Sequence, residues 1–118
     1  MMTATEVKTV GTPVTEEQIR EIARKIGEQP GVVQVWLFGS HATGTAGPDS
    51  DLDLLAVFAG ETDAFRRMQE LDALIFPRFF AMDIVVMGAE EFERTRDVPG
   101  GLAWIVKREG EVLYERAS

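Results

Sequence analysis

Residues 32–58 read VVQVWLFGSHATGTAGPDSDLDLLAVF, and the fold turns on how this stretch divides. Val32–Phe38 is rich in β-branched and aromatic residues and predicts a buried strand. Asp51–Phe58 predicts a second strand. Between them, Gly39–Ser50 holds three glycines and a proline and reads as a loop. Two carboxylates, Asp51 and Asp53, stand two positions apart at the start of the second strand. Side chains alternate faces along a strand, so both share one face while Leu52 and Leu54 enter the core. Aspartate is depleted in strands, and two like charges on one face repel. A hard divalent cation held by oxygen ligands offsets that cost.

Working outward, the segment Thr15-Glu16-Glu17-Gln18 is a capping box, with Val14 and Ile19 as its hydrophobic staple. Ile19, Ile22, Ala23 and Ile26 form one stripe, which predicts an amphipathic helix over 15–28 that ends at Pro30-Gly31. Downstream, Thr62 is placed to cap a helix running to about Ile75, with Phe65, Met68, Leu71 and Ile75 inward and Pro77 limiting its end. Phe79–Met87 predicts a third strand. Glu90–Asp97 reads as a short helix, and Leu102–Arg108 as another stopped by Gly110. Glu111–Tyr114 reads as a short final strand. Trp104, with Leu102, Ile105 and Val106, reads as core packing.

A third carboxylate, Asp83, interrupts the apolar third strand. An unpaired buried charge costs several kcal/mol, so a reason for it is expected. Pairing of the third strand with the second brings Asp83 to Asp51 and Asp53. Three such carboxylates can hold two Mg²⁺ ions roughly 3.5–4 Å apart, an arrangement that clamps both oxygens of an in-line phosphoryl displacement. Gly39-Ser40 follows the first strand directly. There a glycine permits a sharp turn and close approach to phosphate, and the serine hydroxyl and nearby amides can bind phosphate oxygens, the more so if His41–Gly44 start a helical turn. This is not a Walker A loop, because Thr45 stands where the lysine belongs.

Each feature has a plainer reading alone. Asp51 and Asp53 suit a solvated strand start, Asp83 a salt-bridged edge residue, and Gly39-Ser40 an ordinary turn. Their joint spacing favours the metal site. His41 reads as an exposed loop residue, and Arg66, Arg67 and Arg78 as solvated surface.

Composition sets the outer bounds. The 118 residues fit one domain, 1–118, with 1–13 as a flexible N-terminal arm. The absence of cysteine excludes disulfides and thiolate chemistry, and the single histidine excludes a multi-histidine metal site. A formal net charge of −8 argues against an extended nucleic-acid surface, but not against one nucleotide whose charge is met by divalent cations. No apolar run approaches the ~20 residues needed to span a bilayer, and no secretion signal is seen. The expected location is the cytoplasm.

The stretch from Leu37 to Leu55 resembles the signature of the DNA polymerase β-like nucleotidyltransferase superfamily, and more narrowly its minimal nucleotidyltransferases. That pattern is Gly-Ser, ten residues, then Asp-x-Asp, here Gly39-Ser40, His41–Ser50 and Asp51-Leu52-Asp53. A third acid on a later apolar strand is matched by Asp83. The resemblance implies a mixed α/β (α+β), two-layer fold with a small mixed sheet flanked by helices. It also implies metal ligation and catalysis by Asp51, Asp53 and Asp83, triphosphate binding by Gly39 and Ser40, and two Mg²⁺ ions. The implied reaction transfers NMP, with AMP from ATP expected, to a hydroxyl. In the best-understood small relatives that hydroxyl is a tyrosine on a helical HEPN-type toxin, an acceptor that would give this chain an antitoxin role. The alternatives are a catalytically weak or inactive partner-binding module, and an adenylyltransferase of the aminoglycoside type. The latter needs a homodimer or partner chain to complete its acceptor site. One departure stands out. Many relatives carry arginine in the form Gly-Ser-x-Ala-Arg-Gly, and Thr43 occupies that place here.

Overall fold

The computed structural model describes residues 14–76 and 80–117. The expectations for the arm 1–13, for Pro77 as a helix stop, for Arg78 and for Phe79 as a strand start lie outside the described residues. Helix α1 spans Glu16–Gly27 and begins at the expected capping box. The Thr15 amide donates to Gln18 Oε1 at 2.8 Å, and the Gln18 amide donates to Thr15 Oγ1 at 3.1 Å. Two backbone donors that the first turn leaves unpaired are thereby satisfied. The buried stripe of α1 ends at Gly27, where a Cβ would come within 2.5 Å of the Tyr114 ring.

Four strands follow: β1 (Val32–Phe38), β2 (Leu52–Phe58), β3 (Met82–Gly88) and β4 (Glu111–Glu115). They form one sheet in the order β3-β2-β1-β4. Strand β1 runs antiparallel to β2 and to β4, whereas β2 and β3 are parallel, so the sheet is mixed. The sequence of β2 explains its central place. Leu52, Leu54, Ala56 and Phe58 are buried on one face, and Leu55 and Val57 on the other. A strand buried on both faces reads as a nearly continuous apolar run.

Helices therefore cover both faces. Helix α1 and α3 (Ala64–Leu74) pack on the face of Leu52 and Leu54. Helices α4 (Ala89–Thr95) and α5 (Leu102–Glu109) cover the opposite face through Phe92, Ala103 and Val106. The mixed α/β class and the small sheet flanked by helices are as the sequence implied. The short helices α4 and α5 add a thin layer to the two that were expected, because Leu55, Val57 and Met87 also need cover. Among the described residues no helix is long and apolar enough to cross a membrane.

Three local expectations are corrected. Asp63, not Thr62, caps α3, accepting from the Arg66 amide at 3.2 Å. Ala64, Met68, Leu71 and Ile75 make the inward stripe, and Phe65 lies off it, 68% exposed. Trp104 is not core. It is half-buried beside Ala103 and Val106, which carry the inward face of α5, and the Arg108 guanidinium lies 4.7 Å over its ring.

Gly110 stops α5 for a steric reason. Its backbone is extended, and a Cβ there would come within 2.5 Å of the Val106 carbonyl and 2.7 Å of the Leu37 carbonyl. Both obstacles are backbone and cannot rotate away. Gly110→Ala is expected to destabilise the fold by about 1–3 kcal/mol, the usual cost of overpacking. Gly47→Ala, where a Cβ meets nothing within 4 Å, should stay within about 0.5 kcal/mol. Urea unfolding of the two variants measures the contrast.

Candidate active site

The carboxylates gather at one rim of the sheet. In the parallel β2–β3 register, Asp53 lies opposite Asp83. Residues paired this way project to the same face, and the burial pattern agrees. Leu52, Leu54, Met82 and Ile84 are buried, whereas Asp53 is half-buried and Asp83 exposed. Asp51 does not lie in β2, which begins one residue later at Leu52, where the amide donates to the Ala81 carbonyl at 2.9 Å. Asp51 is exposed at the strand's entrance.

Electrostatics ties the three acids together. The Asp53 carboxyl is held above the usual aspartate range, first by desolvation, then by the charges of Asp83 and Asp51, with His41 pulling the other way. Among the described residues, no three acidic or histidine side chains stand close enough to enclose a metal ion on their own. The pair Asp53–Asp83 offers two carboxylates, with Asp51 near by, as a partial set of hard oxygen donors. Mg²⁺ sites at phosphate substrates are commonly of this kind, using one or two carboxylates and substrate oxygens instead of an all-protein cage. The donor set fits such an ion.

Gly39 joins β1 to the site. Phe38 pairs with Asp53, so the next residue turns directly beside that carboxylate. Gly39 has φ 77°, a left-handed conformation that side chains disfavour, and a Cβ there would collide with the Asp53 carboxylate. The bend and the acid are therefore built as a unit. Ser40–Thr43 forms the short helix α2, a turn within the stretch that read as loop. His41 is half-buried, not exposed, with Nε2 3.5 Å from the Ser50 carbonyl.

Ser50 was missed at the level of sequence. Its amide donates to the Gly47 carbonyl at 3.1 Å, and the Gly47 amide donates to Ser50 Oγ at 2.8 Å. The signal was present in Gly47-Pro48-Asp49-Ser50, which carries proline at the second position of a tight turn. Arg66 and Arg67 belong to α3, where both reach Glu70, and Arg67 also lies over the Phe58 ring.

Residues 16–116 match the family profile of the nucleotidyltransferase domain. No curated protein matches the chain. Among solved structures, a Sulfolobus solfataricus protein assigned as a nucleotidyltransferase is similar with a TM-score of 0.59 at 28% identity, over 83% of this chain and 78% of that one. A chain of a toxin–antitoxin complex with AMP-PNP gives 0.55 at 23% identity, over 87% and 75%. The spectinomycin adenyltransferase AAD(9) of Enterococcus faecialis, solved with ATP and spectinomycin, gives 0.53 at 15% identity, over 86% and 55%. The last two likenesses are of fold.

The repulsion at Asp53 has a measurable sign. The folded chain binds this proton more tightly than the unfolded chain does. Stability therefore falls as pH rises from the ordinary aspartate value of 3.8 through the raised folded value, and the penalty is constant above that. With divalent ions chelated at pH 7, Asp53→Asn is expected to be more stable than the parent by up to about 1 kcal/mol, the scale of a cross-strand charge pair. The gain should vanish below pH 3.8. Thermal melts at both pH values check it, and a variant no more stable at pH 7 contradicts the repulsion.

Proposed function

We infer that this chain, which belongs to the nucleotidyltransferase domain family, moves a nucleoside monophosphate from an NTP to a hydroxyl with Mg²⁺ assistance. The observation that carries this reading is the Asp53–Asp83 pair standing beside the Gly39 bend. Three carboxylates on a chain of net charge −8 would repel a triphosphate. The site makes chemical sense when divalent cations sit between the acids and the phosphates.

On this reading Asp51, Asp53 and Asp83 hold the ions, two of them by the resemblance. When bound, the ions neutralise the triphosphate and make the α-phosphorus more electrophilic. Gly39 and Ser40 present amides and a hydroxyl to phosphate oxygens. Asp83, being exposed, is open to an incoming acceptor and accepts its proton as the hydroxyl oxygen bonds to the α-phosphorus. The bond to the bridging oxygen breaks, and pyrophosphate leaves. Holding the attacking oxygen in line is the main contribution of the protein.

ATP is the nucleotide we favour. The acceptor we favour is a tyrosine on a HEPN-type helical partner, in the cytoplasm, which would make the chain an antitoxin. The fold shared with a chain of a toxin–antitoxin complex supports this choice. Thr43 favours a second reading, a weakly active partner-binding module, because it lacks the cationic group that many relatives place there.

The test is label transfer from α-³²P-ATP to the protein encoded by the neighbouring reading frame. Asp53→Asn and Asp83→Asn should each lower the rate by about 10²–10³-fold or more, the scale of losing a preorganised charge-stabilising group. Circular dichroism should be unchanged, and chelation of Mg²⁺ should abolish transfer. Undiminished transfer by both variants sinks the assignment. Tight partner binding without transfer, unchanged in both variants and without Mg²⁺, selects the module.

A further inference from the structure

We propose that His41 is a positioning residue for this site: its ring ties the α2 turn to Ser50 and so holds Asp51, at the entrance to β2, against the Gly39–Ser40 bend. The catalytic consequence rests on the nucleotidyl-transfer reading, and the structural one does not.

The loop from Gly39 to Ser50 is two hydrogen-bonded knots. In the first, Ala42 and Thr43 donate to the Gly39 carbonyl at 3.0 and 3.1 Å, and Gly44 and Thr45 donate to the Ser40 carbonyl at 3.0 Å each. The Thr43 and Thr45 hydroxyls, 3.0 Å apart, close it. In the second, Gly47 and Ser50 bond to each other through the two contacts described above. No backbone hydrogen bond joins the knots among the described residues. The contact that does join them is His41 Nε2 to the Ser50 carbonyl, at 3.5 Å. Because a carbonyl only accepts, Nε2 carries the proton in this contact.

Burial marks the same division. Residues 43–49 are exposed, whereas His41, Ala42 and Ser50 at the ends are half-buried. The ring therefore sits where the loop's two ends converge, and Ser50 is bonded covalently to Asp51. The contact is at the long end of hydrogen bonding. Contacts of this kind in ligand-free sites commonly tighten when the substrate complex forms. A ring that fixes Ser50 limits the positions that Asp51, which lies just outside β2, can take relative to Gly39 and Asp53. A displacement of about 1 Å between catalytic groups can cost as much as ~10²-fold in rate.

The experiment compares His41→Ala, His41→Phe and His41→Gln in the full chain. Glutamine keeps an N–H donor, and phenylalanine keeps bulk without one. The structural readout is amide hydrogen exchange at Ser50 and Gly47 by NMR, without nucleotide or metal. The functional readout is kcat and KM for the Mg²⁺–ATP transfer reaction. The alanine and phenylalanine variants should exchange up to about tenfold faster at Ser50, the scale of one hydrogen bond. Their kcat should fall by about tenfold with KM little changed, as for an interaction that acts on geometry in the transition state. Glutamine should restore both. Unchanged exchange in the alanine variant, parent-like behaviour of the phenylalanine variant, or failure of glutamine to rescue would each overturn the proposal. If the parent chain transfers no label, the transfer reading fails, and the exchange arm still decides the role of His41.

Discussion

Two carboxylates held opposite each other on neighbouring parallel strands repel, and the rest of the rim is arranged around that repulsion. What holds them there is the other face of the sheet. Leu52, Leu54, Met82 and Ile84 are buried beneath α1 and α3 and alternate with the acids. A slip of one residue in either strand would turn its aspartate into the core and its leucine or methionine to the rim. The core therefore fixes the charges indirectly, by making every other register worse. Apolar burial worth roughly 1.5–3 kcal/mol per large side chain outweighs a cross-strand charge cost of up to about 1 kcal/mol.

The same logic sets the glycine. Strand β1 delivers the chain to a point beside Asp53 and must turn away at once. A left-handed backbone there excludes most residues, and the carboxylate excludes any Cβ. Gly39 thus satisfies two demands, backbone conformation and space for the acid. The acids differ in depth, Asp53 half-buried and Asp83 exposed. On the proposed reading that asymmetry suits different tasks, one close to the bend and the other open to an acceptor.

Much of this was legible in the sequence, and the exceptions have physical causes. The capping box of α1, the two apolar runs of β1 and β2, and the Gly-Ser to Asp-x-Asp spacing are local, and the fold kept them. The Asp53–Asp83 register was not local. It depends on β3 adding parallel to β2 after α3, which no pattern inside either strand encodes. Phe65 was misplaced because positions three and four before Met68 both border the stripe, and the sheet takes the small Ala64 and leaves Phe65 outside. Trp104 was misread because apolar residues surround it in sequence, although only Ala103 and Val106 of α5 are fully buried. His41 read as exposed because a glycine-rich stretch suggests an open loop. The helical turn at Ser40–Thr43 closes that loop and carries the ring inward.

Thr43 bears on how the site neutralises a nucleotide. An arginine in its place would put a fixed positive charge in the loop proposed to meet the phosphates. Here the side chain is a hydroxyl, spent on the loop's own hydrogen bonds with Thr45 and the carbonyls of Gly39 and Ser40. Arg66 and Arg67, the cations of α3, are engaged with Glu70. His41 lies near enough to Asp53 to pull its carboxyl back toward the ordinary range, but its ring is turned to Ser50. On the proposed reading, with no arginine in the loop and the described α3 arginines engaged, divalent ions bound with the nucleotide would carry more of the compensation for its charge. Thr43 thus firms the loop where an arginine would have added charge, and on the proposed reading nucleotide binding would depend more steeply on divalent ions than in an arginine-bearing loop.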